Sequence, residues 1–159
     1  ETGFNAITLL PVNLYGPHDN FDPASSHVIP ALIRKAIEAR DAGRPEIEVW
    51  GDGSASREFL FVRDAAEGIA LATERYDGPE PVNLGSGQEV TIRDLVGLVC
   101  AACRFRGHIR FDTTKPNGQP RRCLDTTRAK AAFGFTATTD FRAGLAETVA
   151  WYEGRSVTV

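Results

Sequence analysis

Lysine is scarce in this 159-residue chain: three stand against fifteen arginines, and 21 acidic side chains leave a formal net charge of −3. That balance argues against a general surface for nucleic acid or acidic membrane, since both need a basic excess. Arginine in such numbers suits bidentate phosphate binding and equally follows from arginine-rich codon usage, so only arginines inside motifs carry functional weight. Cysteine is scarce as well. Cys100, Cys103 and Cys123 are odd in number, which leaves no disulfide framework. Cys100-Ala101-Ala102-Cys103 has the spacing of a redox or zinc half-motif. It falls, however, at the C-terminal end of a predicted helix, where the dipole disfavours a thiolate, and no second pair follows. Both cysteines therefore read as buried small residues. No run of 18 apolar residues is present to span a bilayer as a helix, and the first residues lack the basic patch and hydrophobic core of a signal peptide. A cytoplasmic location is the expectation. With 42% hydrophobic and 25% charged residues and no repeat or low-complexity linker, the composition is that of a folded domain and not of a disordered chain.

The apolar pattern predicts a mixed α/β chain. Phe4 to Leu10 has the β-branched, apolar character of a buried strand, which Pro11 ends. A helix is expected from Ser25 or Ser26 to Arg40, because Val28, Ala31, Leu32, Lys35, Ala36 and Ala39 recur at helical spacing; Gly43-Arg44-Pro45 stops it. Short strands follow at Ile47 to Trp50 and Glu58 to Val62, with Gly51-Asp52-Gly53-Ser54 supplying the turn chemistry of a hairpin-like reversal. Asp64 begins a helix to about Arg75, with Ala65, Ile69 and Ala72 on its apolar side. Pro81 to Leu84 reads as a buried strand ended by the turn Gly85-Ser86-Gly87. Thr91 and Asp94 form a capping arrangement ahead of the stripe Ile92, Leu95, Val96, Val99 and Cys100. A strand at Ile109 to Phe111, a polar loop from Asp112 to Cys123, a helix near Thr127 to Phe133 and a last helix from Asp140 to Tyr152 complete the pattern, with Asp140 as the cap.

Chemistry-bearing residues concentrate after the first strand, in Asn13-Leu14-Tyr15-Gly16-Pro17-His18-Asp19-Asn20-Phe21 and Ser26-His27-Val28-Ile29-Pro30. In open α/β sheets the carboxyl edge of a strand is where ligands sit. The segment Pro11-Val12-Asn13-Leu14-Tyr15-Gly16-Pro17 resembles that of extended short-chain dehydrogenases, and the continuation through His27 looks specifically like the GDP-L-fucose synthase family. The resemblance continues in Glu48-Val49-Trp50-Gly51, Arg57-Glu58-Phe59-Leu60, Asn83-Leu84-Gly85-Ser86-Gly87 and Lys115-Pro116-Asn117-Gly118-Gln119-Pro120-Arg121, in unchanged order. It implies an NADPH-dependent epimerase-reductase with two domains that acts on GDP-4-keto-6-deoxymannose.

Two family features have no match. Gly85-Ser86-Gly87 lies late and lacks the third glycine of a pyrophosphate turn, and Tyr15, Tyr76 and Tyr152 all lack a lysine four residues later, so the family's Tyr-x-x-x-Lys pair is missing. The expectation is therefore a C-terminal substrate-binding lobe plus a few elements of an incomplete Rossmann sheet. Residues 1–154 would form that portion, with 155–159 as a loose tail. Phe4 to Leu10, Asp64 to Arg75 and Pro81 to Leu84 would belong to the nucleotide-binding sheet. NADP(H) would be bound mainly by a missing N-terminal half, and the chain alone would be inactive. Its partners would be a GDP-sugar and either that half or another copy of itself, because an isolated Phe4 to Leu10 strand leaves unpaired edges. A homo-oligomer is expected.

His27 is the catalytic candidate, since epimerisation beside a ketone needs a base and an acid near neutral pH, and the resemblance gives the histidine of this run the acid role. A structural histidine at a helix start is the alternative. Ser26 is placed to orient it. His18 reads as a loop residue bonded to backbone, and His108 as surface. Too few ligands converge for a metal. Arg57 matches the family's diphosphate-binding arginine, against a solvated surface charge as the plain reading. Trp50 offers a face to sugar or base, or fills the core. Lys35 corresponds to a basic substrate contact or lies on a solvated helix face. Pro11, Val12, Asn13, Leu14 and His27 match contacts to the cofactor, the first four at its nicotinamide end. Asn117 and Arg122 stand where the family usually has aspartate and commonly lysine, which weakens a guanine-specific reading at Asn117. Another nucleotide-sugar epimerase or dehydratase, which shares the Asn13 to Pro17 loop, stays open as an alternative, as does a non-catalytic binding or assembly module that kept the lobe and lost the catalysis.

Overall fold

The structure, a computed structural model, describes residues 5–155. Phe4, where the first predicted strand begins, and residues 156–159 of the expected tail lie outside the described residues. In chain order the elements are β1 (Leu9–Pro11), β2 (Asn13–Tyr15), α1 (Val28–Asp41), β3 (Glu46–Trp50), β4 (Ser56–Phe61), α2 (Val62–Arg75), β5 (Val82–Leu84), β6 (Glu89–Thr91), α3 (Ile92–Ala102), β7 (His108–Asp112), β8 (Arg121–Arg122), α4 (Thr127–Phe133) and α5 (Phe141–Arg155). The α/β class holds, and three ladders are parallel: β1 with β5, β3 with β7 and β4 with β8. No helix among the described residues is long and apolar enough to cross a membrane.

Two compact units divide the chain, each assembled from three stretches. The first comprises residues 1–14, 58–89 and 123–139. It holds β1, α2 and β5, the elements that the resemblance assigns to a nucleotide-binding sheet. Its core is Val12, Leu60, Ala65, Ala72, Val82, Leu84, Ala129, Phe133 and Phe135. β1 is shorter than the expected Phe4 to Leu10 strand. Among the described residues its ladder is to the three residues of β5, in the register Leu9 to Val82, with Val82 N donating to Thr8 O and Val12 N donating to Leu84 O at the two ends. Pro11 closes the ladder without ending extended structure, because β2 resumes at Asn13.

α2 begins at Val62, with Phe61 as its cap residue, so Asp64 lies inside the first turn. There it is buried, and its carboxylate accepts from Thr139 N at 3.1 Å and Thr139 Oγ1 at 3.0 Å. The buried face of this helix differs from the expected one. Ile69 is 49% exposed, and Asp64, Ala65, Gly68 and Ala72 face inward. The cause is Phe135, whose ring lies so close to Gly68 that a Cβ there would meet it at 3.0 Å. Small residues form the groove that seats the ring, which turns Ile69 outward.

The second unit comprises residues 15–57, 90–122 and 140–159. Here α3 packs on both α1 and α5, and α1 packs on β3, around Ile29, Ile33, Ala36, Leu95, Val96, Val99, Leu145 and Val149. α1 starts at Val28, two or three residues later than the sequence suggests, after His27 at the cap position, and closes with Gly43 at φ +62 and Arg44 N donating to Ala39 O. α3 carries the expected cap: Thr91 Oγ1 accepts from Asp94 N at 3.0 Å, an arrangement worth about 1 kcal/mol. α5 is capped as expected by Asp140, whose Oδ1 accepts from Ala143 N at 3.0 Å.

β3 and β4 do not form the expected hairpin. β3 pairs instead with β7 over Glu46 to Trp50, and Gly51 N extends this ladder to Asp112 O. The Gly51 to Ser54 turn carries glycines at φ +82 and +79, and Arg93 N donates to Gly53 O, so the turn routes the chain onward and does not fold it back. Arg40, Arg104 and Glu153 form an ion-pair cluster in which Arg40 reaches Glu153 at 2.6 Å and also donates to Cys103 O. Cys100 and Cys103 are buried beside it, and burial pushes their thiols up to about 11 and about 12. They are packed thiols, not poised thiolates.

Candidate functional site

A cavity of about 530 Å³ lies wholly within the second unit. One wall is α1. Val28, Ala31, Leu32 and Lys35 line it at spacings i, i+3, i+4 and i+7, so the stripe that identified the helix is also the stripe that faces the cavity. Val49 and Trp50 contribute from the end of β3, Arg57 from β4, Ile92 from the start of α3, and Pro116, Asn117 and Gly118 from the polar loop after β7. Four candidates from separate parts of the sequence, Lys35, Trp50, Arg57 and Asn117, thus converge on one space.

Each is held by its surroundings. Lys35 Nζ donates to Glu48 O at 2.7 Å, which fixes the ammonium at the cavity wall and excludes the solvated-face alternative. Arg57 Nη1 donates to Ser56 O at 2.6 Å and Gln119 O at 2.7 Å. Its Nη2 has no hydrogen-bond partner among the described residues and lies beside Gly118, where a Cβ would stand 3.5 Å from it, an ordinary contact. Trp50 is 63% exposed, so it is not a core tryptophan, and Lys115 Nζ stands 5.7 Å from the centre of its ring. An apolar wall, an exposed indole and two cations form a surface suited to a flat ring joined to an anionic group.

The remaining candidates fall elsewhere. Arg122 is exposed on β8, where it is the ladder partner of Arg57, and it does not line the cavity. Register explains this: two residues paired in a parallel ladder are neighbours, yet only Arg57 has its head among the cavity loops. His27 is exposed at the cap position of α1, makes no side-chain cap bond, and follows Ser26, which does line the cavity. Among the described residues the His18 ring makes no bond to backbone and packs against Trp151, with ring centres 4.8 Å apart, in a loop where its own φ is +68. His108 opens β7 and is exposed.

Pro11, Val12, Asn13 and Leu14 belong to the first unit. Asn13 Nδ2 donates to Glu58 O at 3.0 Å and Val12 is buried with its N–H on Leu84 O, while Pro11 and Leu14 are exposed. The exposed apolar residues of this segment fit contact with a flat ring. The apolar residues of the cavity, Val28, Ala31, Leu32, Val49, Ile92 and Pro116, were not singled out by sequence as site residues. For Val28, Ala31 and Leu32 the i, i+3, i+4, i+7 stripe ending in Lys35 is the signal, since a lysine in line with an apolar face marks where that face meets something polar.

Comparison with known proteins places these features in a family. GDP-L-fucose synthase 1 of Arabidopsis thaliana is 49% identical over 152 residues, covering 96% of this chain and 47% of that protein. GDP-L-fucose synthase of Escherichia coli (strain K12) is 41% identical, covering 96% of this chain and 50% of that protein. Among solved structures, a GDP-L-fucose synthetase from Naegleria fowleri bound to NADP superimposes with a TM-score of 0.89 at 30% identity, covering 96% of this chain and 48% of that one. The chain therefore spans about half the length of the relatives it matches. The family model of the NAD dependent epimerase/dehydratase family matches residues 1–85, just over half of the 159, and the chain belongs to that family.

Proposed function

We propose that this chain is the GDP-sugar-binding, C-terminal half of an NADPH-dependent epimerase-reductase that converts GDP-4-keto-6-deoxymannose to GDP-L-fucose. The observation that carries the reading is the convergence of Lys35, Trp50, Arg57 and Asn117 on one cavity of about 530 Å³. In this reading the diphosphate takes the accessible edge of Arg57 and the ammonium of Lys35, because a guanidinium and an ammonium together match two linked phosphates. The base stacks on Trp50. His27 exchanges the proton of a carbon beside the keto group, a task that suits an exposed imidazole held at a helix start with no capping bond of its own.

NADPH, when bound, supplies the hydride for the reduction. The first unit's share of that site is the exposed apolar contact of Pro11 and Leu14 around buried Val12 and tethered Asn13. Alone, the chain binds the nucleotide sugar and does not turn it over. It associates with the missing half or with another copy, since β1 is paired only to β5 among the described residues and Leu10 within it is 49% exposed.

The test is calorimetric titration of GDP-L-fucose into the purified chain, paired with an assay of NADPH oxidation in the presence of the keto-sugar. Binding without oxidation is expected, with oxidation appearing when the N-terminal half of a relative is added. Oxidation by the chain alone, or no binding at all, would sink the proposal.

A further inference from the structure

Glycine follows only one of the five asparagines in the chain, Asn117. Asn5, Asn13, Asn20 and Asn83 precede Ala6, Leu14, Phe21 and Leu84, each with a Cβ that crowds its backbone nitrogen. Gly118 carries no such atom, stands at φ +73 and is exposed, and its N–H has no hydrogen-bond partner among the described residues. That nitrogen is free to react.

Asn117 is exposed as well, and its side chain is held beside Asp52. Its Oδ1 accepts from Asp52 N at 2.7 Å, a bond that draws negative charge towards oxygen, the direction charge moves when the side-chain carbon is attacked. Ser54 first, and the Asn117 amide after it, hold the Asp52 carboxyl below its usual range. These bonds engage the amide, and none of them engages the Gly118 nitrogen.

The backbone after Asn117 matters to the cavity. Gly118 lines it beside Arg57 Nη2, and Gln119 O accepts from Arg57 Nη1 at 2.7 Å, so this stretch is part of what holds the guanidinium in place.

We propose that Asn117 is a site of spontaneous deamidation, and that its isoaspartate product loosens Arg57. The Gly118 nitrogen gives its proton to solvent and bonds to Asn117 Cγ, while the Cγ–Nδ2 bond breaks and ammonia leaves with a proton from water. Water then opens the cyclic imide. Addition at Cγ breaks the new bond and yields aspartate; addition at the main-chain carbonyl carbon breaks the old peptide bond and yields isoaspartate, whose backbone is longer by one carbon. Nothing is oxidised or reduced, and both products add a negative charge to the cavity wall. Only the longer backbone displaces Gln119 O from Arg57. The effect on binding rests on the proposed nucleotide-sugar site; the modification does not.

The experiment incubates the purified chain under conditions in which circular dichroism shows it folded, and maps all five asparagines by mass spectrometry with fragmentation that separates aspartate from isoaspartate. Conversion at Asn117 should run about tenfold or more ahead of the other asparagines, and Gly118→Ala should slow it by a similar factor, because a Cβ then shields the attacking nitrogen. Asn117→Gln, whose longer side chain closes a ring less readily, should keep its amide and covers the case in which Gly118→Ala fails to fold. An Asn117 amide that lasts as long as the others in the folded chain would overturn the proposal. Isoaspartate chains, separated chromatographically, should bind GDP about 10–100-fold more weakly than fresh ones, the range for losing hydrogen bonds to a charged group. Asn117→Asp, which has the charge without the longer backbone, should stay nearer wild type; equal affinity of isoaspartate and fresh chains would overturn the link to Arg57. If fresh chains bind no GDP, the nucleotide-site reading fails, and the mass map still decides the modification.

Discussion

The carboxylate of Glu58 accepts from the backbone N–H of Leu124 at 2.6 Å, in a side chain with no exposed surface. Its other oxygen takes the N–H of Gly87 at 2.8 Å, so one buried side chain ties the start and end of the Glu58 to Glu89 stretch to the Cys123 to Thr139 stretch of the first unit. Gly85 is part of the same arrangement, since a Cβ there would collide with Glu58. Replacement by alanine leaves two amide groups unpartnered at a cost on the order of 3 kcal/mol, whereas glutamine keeps one acceptor and costs less. Urea unfolding of Glu58→Ala and Glu58→Gln checks this; equal stability of the alanine variant and wild type would refute it.

Arg57 supplies charge to the cavity through a guanidinium whose Nη1 is tied to Ser56 O and Gln119 O. Arg57→Ala should weaken GDP binding by about 10–100-fold, the range for losing hydrogen bonds to a charged group, and Arg57→Lys should recover only part of it. Wild-type affinity should fall as salt rises, and the alanine variant should respond less. Calorimetry at two ionic strengths reads both effects.

Glu153 is held below the usual carboxylate range by its hydrogen bond to Arg40, with Arg104 adding to it. A folded value depressed below the unfolded one gives stability that is present above the unfolded value and lost as pH falls through the folded one. Stability should therefore be flat near neutrality and decline below about pH 4, the ordinary range of a glutamate. Glu153→Gln should remove part of that acid dependence while lowering stability at pH 7, which thermal melts across pH 3 to 7 at fixed salt would show, each pH being about one unit apart.

Cys100 and Cys103, with thiols pushed up to about 11 and about 12 by burial, should resist alkylation in the native chain at pH about 8 and react on unfolding. Mass spectrometry after iodoacetamide treatment distinguishes them. Rapid native labelling of either would restore the redox reading of the Cys100 to Cys103 spacing.

Periodicity and caps made the helices legible. The bounds of α4, Thr127–Phe133, match the pattern because the residues that define it are local, and the Thr91 and Asp140 caps are local too. Strand partners were not legible. The Gly51 to Ser54 turn has hairpin chemistry, but the partner of β3 is β7, more remote in sequence, and β6 escaped notice because three residues carry no period. Ile69 misled for a similar reason: the ring that displaces it belongs to Phe135, far along the chain. At the site, motif residues located Lys35, Trp50 and Arg57, and exposure then decided what sequence left open for Trp50. Asn117 shows the limit, since its bond to Asp52 depends on how two loops meet.

The interleaving of the two units has a consequence for how the molecule can be handled. Each unit draws on three separated stretches, and Leu9 finds its ladder partner at Val82. No single cut releases either unit as a continuous fragment. Their assembly depends on contacts remote along the chain, a pattern associated with slow folding, so a nascent polypeptide cannot complete one unit and then begin the other. The first unit stays unfinished until the Cys123 to Thr139 stretch has been made, and the second until α5 has.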